Sequence, residues 1–401
     1  MGMWLDDIAV AIGIGLFVSA VWFFSLKFRG TRQRLRASER RAEYVEALGN
    51  LVLAQGAIPR LLRRRSADPV LREVLLEYLR FLEGEERRFL LQMAHSMGLM
   101  ERFVGELHHR DRAVRVRAAE ALTEFADPDT VEALLMALSD PVPEVRIQAV
   151  AALARIGNAM AVKSILVQLD REDDWAAHRM ADALAVFGAD AVPVMNQYVQ
   201  QSGRYVGLVI RALGSIGDHR SERALLDSLE FPDKEVRIRA AAALGSTCTP
   251  VGIEDLVQVL RDPVWEVRAQ AAKSLGECGD QMAVPALRHA LTDSSWWVRR
   301  NAAASLSSVR GGTEVLRDAL DDRDRFARDI AAATLLAMGA GRKAIEDVDA
   351  DDPMEREKAC SLIRKLAQVG KGEYFRQAIR LGELDENTEV VDMDTLGTAE
   401  N

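Results

Sequence analysis

Apolar residues recur along this chain with a helical period, in a series of similar segments. In the segment 281–310, apolar residues three or four apart predict one helix before the polar break "TDSS" and a second helix after it, which two glycines end. Asp293 or Ser294 in the break is suited to cap the second helix. Neither helix alone can bury its apolar face, so the pattern predicts that copies stack on one another.

A phrase of the form A-A-x-x-L closes the second helix of each copy. Its leucines follow one another at steps of 31, 31, 29, 31, 31, 31 and 29 residues. They are Leu122, Leu153, Leu184, Leu213, Leu244, Leu275, Leu306 and Leu335, with Leu362 as a weaker ninth. This regular step predicts an all-α fold, an α-solenoid of about eight or nine helix pairs of about 31 residues each.

The loop inside each pair carries a second phrase, Asp-Pro followed by Val-Arg. It reads "DPVPEVR" at 140–146 and "DPVWEVR" at 262–268, with looser forms at 111–115, 232–237 and 294–299. Together with closing phrases such as "SLGECGD" at 274–280, these residues resemble the bacterial HEAT-repeat family, in the short form also found in phycobilisome-lyase-type repeats. The resemblance covers roughly residues 100–365 and implies HEAT-like helix pairs.

In that family an arginine and an aspartate of neighbouring copies form a ladder that fixes the geometry between repeats. The resemblance implies this structural role for the arginines that close the loop phrase: Arg115, Arg146, Arg237, Arg268, Arg299 and Arg328. The third and fourth copies carry Ala177 and Val206 at this position. We therefore expect the ladder to be interrupted there, at a bend or a specialised surface.

The run Ile8 to Leu26 contains nineteen residues without a charge. As a helix it would be about 28 Å long, close to the thickness of a bilayer core, which predicts a transmembrane anchor preceding the solenoid. A cleaved signal peptide is the main alternative, but the segment before the run, "MGMWLDD", is not basic. Arginines and a lysine follow the run instead, which places the N-terminus outside the inner (plasma) membrane and the solenoid in the cytoplasm.

Small residues four apart give the predicted anchor a stripe suited to close packing with another membrane helix: Ala11, Gly15 and Ser19. Residues 27–65 carry eleven basic and three acidic side chains. This segment is either a topology signal on a solvated helix or a contact with anionic lipid.

These patterns divide the chain into six parts. They are the anchor 1–26, a basic juxtamembrane helix or linker 27–68, a helical N-terminal cap 69–110, the repeat solenoid 111–365, a C-terminal cap 366–384, and an acidic tail 385–401 that is predicted to be disordered.

Composition narrows the possible functions. The net charge is −9, and the part between the basic segment and the acidic tail is itself acidic, which argues against a nucleic-acid groove. The three cysteines are far apart and lack a CxxC partner, so we expect reduced, buried thiols rather than disulfides. None of the six histidines is followed by a glutamate, unlike the di-iron members of the superfamily. We therefore expect no metal, no cofactor and no catalytic residue.

Aromatic residues concentrate at the start of the second helix of several copies: Trp175, Tyr205, Trp265, Trp296, Trp297 and Phe326. They are either packed between repeats or form a partner-binding strip. The favoured function is a non-catalytic, membrane-anchored adaptor for a protein partner, itself membrane-associated, such as a glycosyltransferase of envelope or polysaccharide assembly. A phycobilin lyase-like or other enzyme on HEAT repeats and a lipid-binding regulatory module are the alternatives.

Overall fold

The structure, a computed structural model, describes residues 36–54, 57–381 and 384. These residues form helices joined by short turns and contain no strand, which confirms the all-α prediction. The chain divides into two compact units, Met1–Asn158 and Ala159–Asn401.

The first unit holds eight helices in its described residues. In chain order they are α1 (36–54), α2 (Arg60–Arg64), α3 (Pro69–Phe81), α4 (Gly84–Ser96), α5 (Leu99–Glu106), α6 (Arg112–Leu122), α7 (Pro128–Ala137) and α8 (Pro143–Ile156).

The second unit continues the alternation of a shorter and a longer helix over its described residues. Its helices are α9 (Ala161–Leu169), α10 (Asp174–Leu184), α11 (Val192–Gln200), α12 (Val206–Ile216), α13 (Glu222–Ser228), α14 (Lys234–Thr247), α15 (Pro250–Val259), α16 (Trp265–Cys278), α17 (Val284–Ala290), α18 (Trp296–Ser308), α19 (Gly312–Asp318), α20 (Arg325–Ala337), α21 (Ala340–Asp347), α22 (Pro353–Leu366) and α23 (Gly372–Arg380).

From α5 to α22 the helices form nine pairs, and we call the second helix of each pair its B helix. In the second unit, α12, α14, α16, α18 and α20 pack side by side in that order, and in the first unit α6 packs on α8. The eight leucines of the closing phrase each lie on a B helix and are each 0% exposed. The repeated phrase therefore marks the residues that each copy buries, and the predicted repeat is confirmed.

Neighbouring B helices approach each other closely because small residues lie at their contact. A Cβ added at Gly214 would lie 2.8 Å from the Cα of Ala243, and one added at Gly245 would lie 3.1 Å from the Cα of Ser274. A larger side chain at either glycine would force the helices apart.

The recurring loop residues start and stop these helices. The carboxylate of Asp233 accepts a hydrogen bond from the amide of Glu235 and caps α14, and Asp324 caps α20 in the same way. The last glycine of the closing phrase ends α12 at Gly217 and α16 at Gly279, where φ is 67°. These left-handed positions favour glycine because it has no Cβ.

The ends of the array are helical as well. In the first unit α3 packs on α4, and α4 packs on α5. The first pair consists of α5 and α6, which pack on each other, so it begins at Leu99, inside the range 69–110 predicted as a cap. In the second unit α23 follows α22 after a turn in which Gly370 has a φ of 81°.

Several predicted features lie outside the described residues. They are the anchor 8–26 with Ala11, Gly15 and Ser19, and the acidic tail 385–401. None of the helices in the described part of the chain combines the length and the apolar content that a bilayer crossing requires.

The prediction of unpaired thiols is wrong for two of the three cysteines. Cys248 and Cys278 form a disulfide with their Cα atoms 5.1 Å apart, while Cys360 is free. The pairing follows from the repeat: residues 30 apart in sequence lie one copy apart, at the same end of adjacent B helices.

Candidate functional site

The ladder arginines first brace the loop of their own copy. In each case Nη1 donates to the carbonyl oxygen six residues earlier, and the distances run from 2.6 to 2.9 Å. The six are Arg115, Arg146, Arg237, Arg268, Arg299 and Arg328. Arg356 makes the same bond at 2.6 Å to Ala350 and is a seventh member of the ladder, which the loop phrase did not predict.

Arg115, Arg237 and Arg268 also reach the loop of the next copy. Arg268 donates from Nε and Nη2 to the two carboxylate oxygens of Asp293, both at 2.8 Å. Arg237 contacts Asp262 in the same two-pronged way, and so does Arg115 with Asp140. The acceptor lies 25 residues after the arginine each time, so these bonds join successive copies, as the resemblance implies.

In the ladder pair of Arg268 and Asp293, each charged group stabilises the charged form of the other. Burial favours the neutral form of Asp293, but the hydrogen bonds from Arg268 and the amide of Ser295 outweigh it and hold the pKa of Asp293 below its ordinary value. The hydrogen bond to Asp293 raises the pKa of Arg268 in turn. The pair therefore stays charged although both side chains are largely buried.

A different network replaces the ladder in the third and fourth copies. The phenol oxygen of Tyr205 lies 2.9 Å from both the carbonyl oxygen of Glu172 and a carboxylate oxygen of Asp174, two acceptors that share its single proton, and Tyr198 donates to Asp170. Burial and the hydrogen bond to Asp170 raise the pKa of Tyr198. In the third and fourth copies, two tyrosine hydroxyls therefore join successive copies in place of arginine side chains.

Tyr205 is therefore a structural residue, which corrects its assignment to the binding surface. Its side chain is 8% exposed because its hydroxyl reaches the loop of the preceding copy. The sequence shows that Val206 replaces the arginine in this copy, but it does not show that the side chain of Tyr205 points toward the preceding loop.

The remaining aromatic residues are exposed. Trp265 is 40% exposed, Trp296 49%, Trp297 48% and Phe326 59%. They lie at the starts of α16, α18 and α20, and these helices pack side by side in this order. We call these four residues the aromatic strip.

Arginine side chains order the strip. The guanidinium of Arg300 lies 5.5 Å from the ring centre of Trp296 and 5.8 Å from that of Trp297, and the two indoles meet edge to face at 4.8 Å. Arg299 lies 4.7 Å from the ring of Phe326. These cation–π contacts hold the rings of Trp296, Trp297 and Phe326 in place while leaving much of each ring in water.

Trp175 is also exposed, at 56%, but it lies at the start of α10, and two B helices, α12 and α14, separate that helix from the strip. Met354 occupies the equivalent position in the ninth pair and is 62% exposed. Neither Met354 nor Arg300 was predicted, because Met354 is not aromatic and Arg300 lies just after the loop phrase that ends at Arg299.

The residues that the structure describes contain no group of three or more His, Cys, Asp or Glu side chains that would hold a metal ion. A surface groove of about 630 Å³ between α13 and α15 is lined by charged side chains, including Arg223, Asp227 and Asp262. Asp262 is already engaged by the ladder, and Arg223 pairs with Asp227 at 3.0 Å.

Comparison with known proteins agrees with this architecture. The family model for HEAT repeats matches residues 100–185, 206–264 and 253–337, together more than half of the chain. No curated protein matches the sequence.

Several solved structures are similar to the chain. An engineered protein has 20% identity and a TM-score of 0.37, over 74% of this chain and 96% of its own. The complex of CpcE and CpcF of phycocyanin lyase from Nostoc sp. PCC7120 has 23% identity and a TM-score of 0.29, over 60% and 94%. The karyopherin Kap95p, in a structure with RanGDP, has 14% identity and a TM-score of 0.44, over 88% and 58%. At these identities the likeness concerns the fold alone.

Proposed function

The chain belongs to the HEAT-repeat family, and on that premise we propose that it is a non-catalytic adaptor that binds a protein partner along the aromatic strip. The observation that carries the proposal is the exposure of Trp265, Trp296, Trp297 and Phe326 on three adjacent B helices. Large aromatic side chains on a rigid surface are the residues that most often dominate binding energy at protein interfaces.

The exposure of the strip bears on the alternative that these rings serve only to pack one repeat on the next. The eight closing leucines, which do pack repeats together, are each 0% exposed, whereas every ring of the strip is at least 40% exposed. A surface of helices braced by the ladder changes little in shape on binding, so little affinity is lost to ordering it.

The membrane part of the proposal rests on the sequence. The uncharged run 8–26 is long enough to cross a bilayer, and the basic residues of 27–65 follow it directly. With this anchor, the protein would be held at the inner membrane with its repeats in the cytoplasm. Its partner would then be a membrane-associated protein, for example an enzyme of envelope or polysaccharide assembly.

Substitution of the strip tests the adaptor function. A photo-crosslinking residue at Phe326 of the full chain in native membranes is expected to give one discrete adduct. Trp265→Ala, Trp296→Ala and Trp297→Ala together should abolish that adduct and leave the melting temperature unchanged. Trp175→Ala is the matched control, since it removes an exposed tryptophan from the same helix position outside the strip. An adduct that survives the triple substitution, or a triple variant that unfolds, would refute the proposal.

A second candidate function, binding to an anionic lipid surface, is favoured by the basic turn at α2. Arg60, Arg63 and Arg64 are exposed, and Leu53 at the end of α1 is 87% exposed. Nearby arginines are engaged instead, as in the pair of Arg40 with Asp68 at 2.6 Å. Exposed guanidinium groups and an exposed apolar side chain both suit the surface of a bilayer that contains anionic lipid.

Hydrogen exchange distinguishes this candidate. In nanodiscs that contain the full chain, anionic lipid should slow amide exchange over residues 57–68 relative to neutral lipid. Substitution of the three α2 arginines by glutamine should remove that difference. Equal exchange in the two lipids would eliminate lipid binding by this turn and leave the adaptor proposal untouched.

A further inference from the structure

The disulfide partner Cys248 lies at a backbone position that favours glycine. It ends α14 in the left-handed region, with φ 49° and ψ 41°. The equivalent residue of α8, α12 and α16 is Gly157, Gly217 and Gly279. An L-residue with a Cβ is disfavoured in this conformation, so backbone geometry alone does not account for a cysteine here.

The partner of Cys248 comes from the next copy. Cys278 is the last residue of α16, and α14 and α16 pack side by side. The two Cα atoms are 5.1 Å apart, within the range that a disulfide requires. The bond therefore ties the same ends of two successive B helices together.

Both oxidation states of the pair fit the site. The Sγ of Cys248 lies 2.9 Å and that of Cys278 lies 3.8 Å from the carbonyl oxygen of Gly245. When the pair is reduced, that oxygen is an acceptor for an S–H donor. Both cysteines are half-buried, which leaves the sulfur atoms within reach of a small thiol.

We propose that Cys248 and Cys278 form a reversible thiol–disulfide site that determines how firmly two successive repeats are held together. This inference does not require the aromatic strip or the membrane anchor. When the disulfide is closed, it adds a covalent link to the contact between α14 and α16. When it is open, packing and the ladder alone hold the two copies.

The reaction partner is a low-molecular-weight thiol of the glutathione class. Its thiolate attacks one sulfur of the disulfide, forms a mixed disulfide and releases the other cysteine as a thiolate, which takes up a proton. A second small thiolate then attacks the sulfur of the small thiol in the mixed disulfide, releases the second cysteine and leaves as the oxidised small disulfide. Closure is the reverse sequence, with the oxidised small disulfide as oxidant.

Alkylation with iodoacetamide followed by peptide mass spectrometry tests the proposal on the folded full chain. Oxidised glutathione should protect Cys248 and Cys278 while Cys360 remains alkylated, and dithiothreitol should restore alkylation of both. Labelling of the pair after oxidation would overturn the proposal. Protection that dithiothreitol does not reverse in the folded protein would overturn the reversibility.

Melting measurements supply a second readout. Oxidation should raise the apparent melting temperature of the wild type by roughly 5 °C, since the crosslink closes a loop of 30 residues. Cys248→Gly restores the residue that this backbone position favours and should abolish the oxidant-dependent rise, whereas Cys360→Ser should retain it. An equal rise in the wild type and in Cys248→Gly would refute the assignment.

Discussion

Removal of the Arg268 guanidinium is expected to weaken the junction between two repeats. Its three donor nitrogens bind both carboxylate oxygens of Asp293 at 2.8 Å and the carbonyl oxygen of Asp262 at 2.9 Å. The side chains of Arg268 and Asp293 are 13% and 14% exposed, so Arg268→Ala would leave a carboxylate with little access to water. We expect a loss of about 3 kcal/mol in the free energy of unfolding, as for other buried pairs that lose one partner.

Lys273→Ala is the matched control for this substitution. Lys273 lies on the same helix and pairs with Glu277 at 3.5 Å, but its side chain is 60% exposed. Loss of an exposed pair of this kind costs about 0.3 kcal/mol. Urea unfolding measures both values, and hydrogen exchange should place the loss at α16 and α18 because each repeat contacts only its neighbours. Equal unfolding free energies for the two variants would refute the structural role of the ladder.

Because of the same pair, the difference in unfolding free energy between Arg268→Ala and wild type should depend on pH. Because the pKa of Asp293 is lower in the folded protein than the ordinary 3.8, its contribution is fully present above that value. The contribution is lost as the pH falls through the lowered folded pKa. The stability gap between wild type and Arg268→Ala should therefore narrow as the pH falls from 3.8 through the lowered folded pKa. A gap that stays constant over this range would show that Arg268 acts by packing alone.

Three further predictions concern Gly214, Tyr205 and Tyr198. Gly214→Ala should lower the free energy of unfolding by about 2 kcal/mol because the added Cβ meets the backbone of the neighbouring B helix. Gly105→Ala, with nothing within 4 Å of the added atom, should raise the free energy of unfolding by about 0.5 kcal/mol, and urea titrations measure both values. Tyr205→Ala should lower it by about 3 kcal/mol, while Trp175→Ala should stay within about 0.5 kcal/mol of wild type, and similar thermal melts would contradict the burial of Tyr205. The raised pKa of Tyr198 means that its neutral phenol stabilises the fold below the ordinary pKa of 10.0, and that this stability is lost as the pH rises through the folded value; a spectrophotometric titration of Tyr198→Phe should lack the last phenol to ionise.

The period of the sequence was enough to predict the helix pairs and the core. Leucines such as Leu244 and Leu275 recur at a fixed step because each fills the same place between copies, so their burial follows from the repeat itself. The arginine position was also readable, since Arg237 and Arg268 stand at the same place in the loop phrase. Features that every copy shares are visible in the sequence because the chain supplies its own comparison.

Features of a single copy were harder to predict. Tyr205 and Trp265 occupy nearby positions in their copies, yet the first is 8% and the second 40% exposed. The difference arises because the tyrosine hydroxyl finds acceptors in the preceding loop, at Glu172 and Asp174, and no pattern of residue types shows that direction. The sequence therefore located the candidate surface, but it could not distinguish the exposed aromatic residues from a buried one such as Tyr205.

The cysteines show how a repeat changes what sequence distance means. Judged along the chain, Cys248 and Cys278 are too far apart for a local motif, which is why they were predicted to be unpaired. Judged against a period of about 31 residues, their separation of 30 places them one copy apart and one residue out of step, at the ends of adjacent helices. That one-residue offset pairs the final residue of one helix with the capping residue of its neighbour, and thus brings the sulfur atoms together. In a stacked array, candidate pairs of chemically reactive residues are therefore better sought at separations close to whole multiples of the period than at the short spacings typical of a globular site.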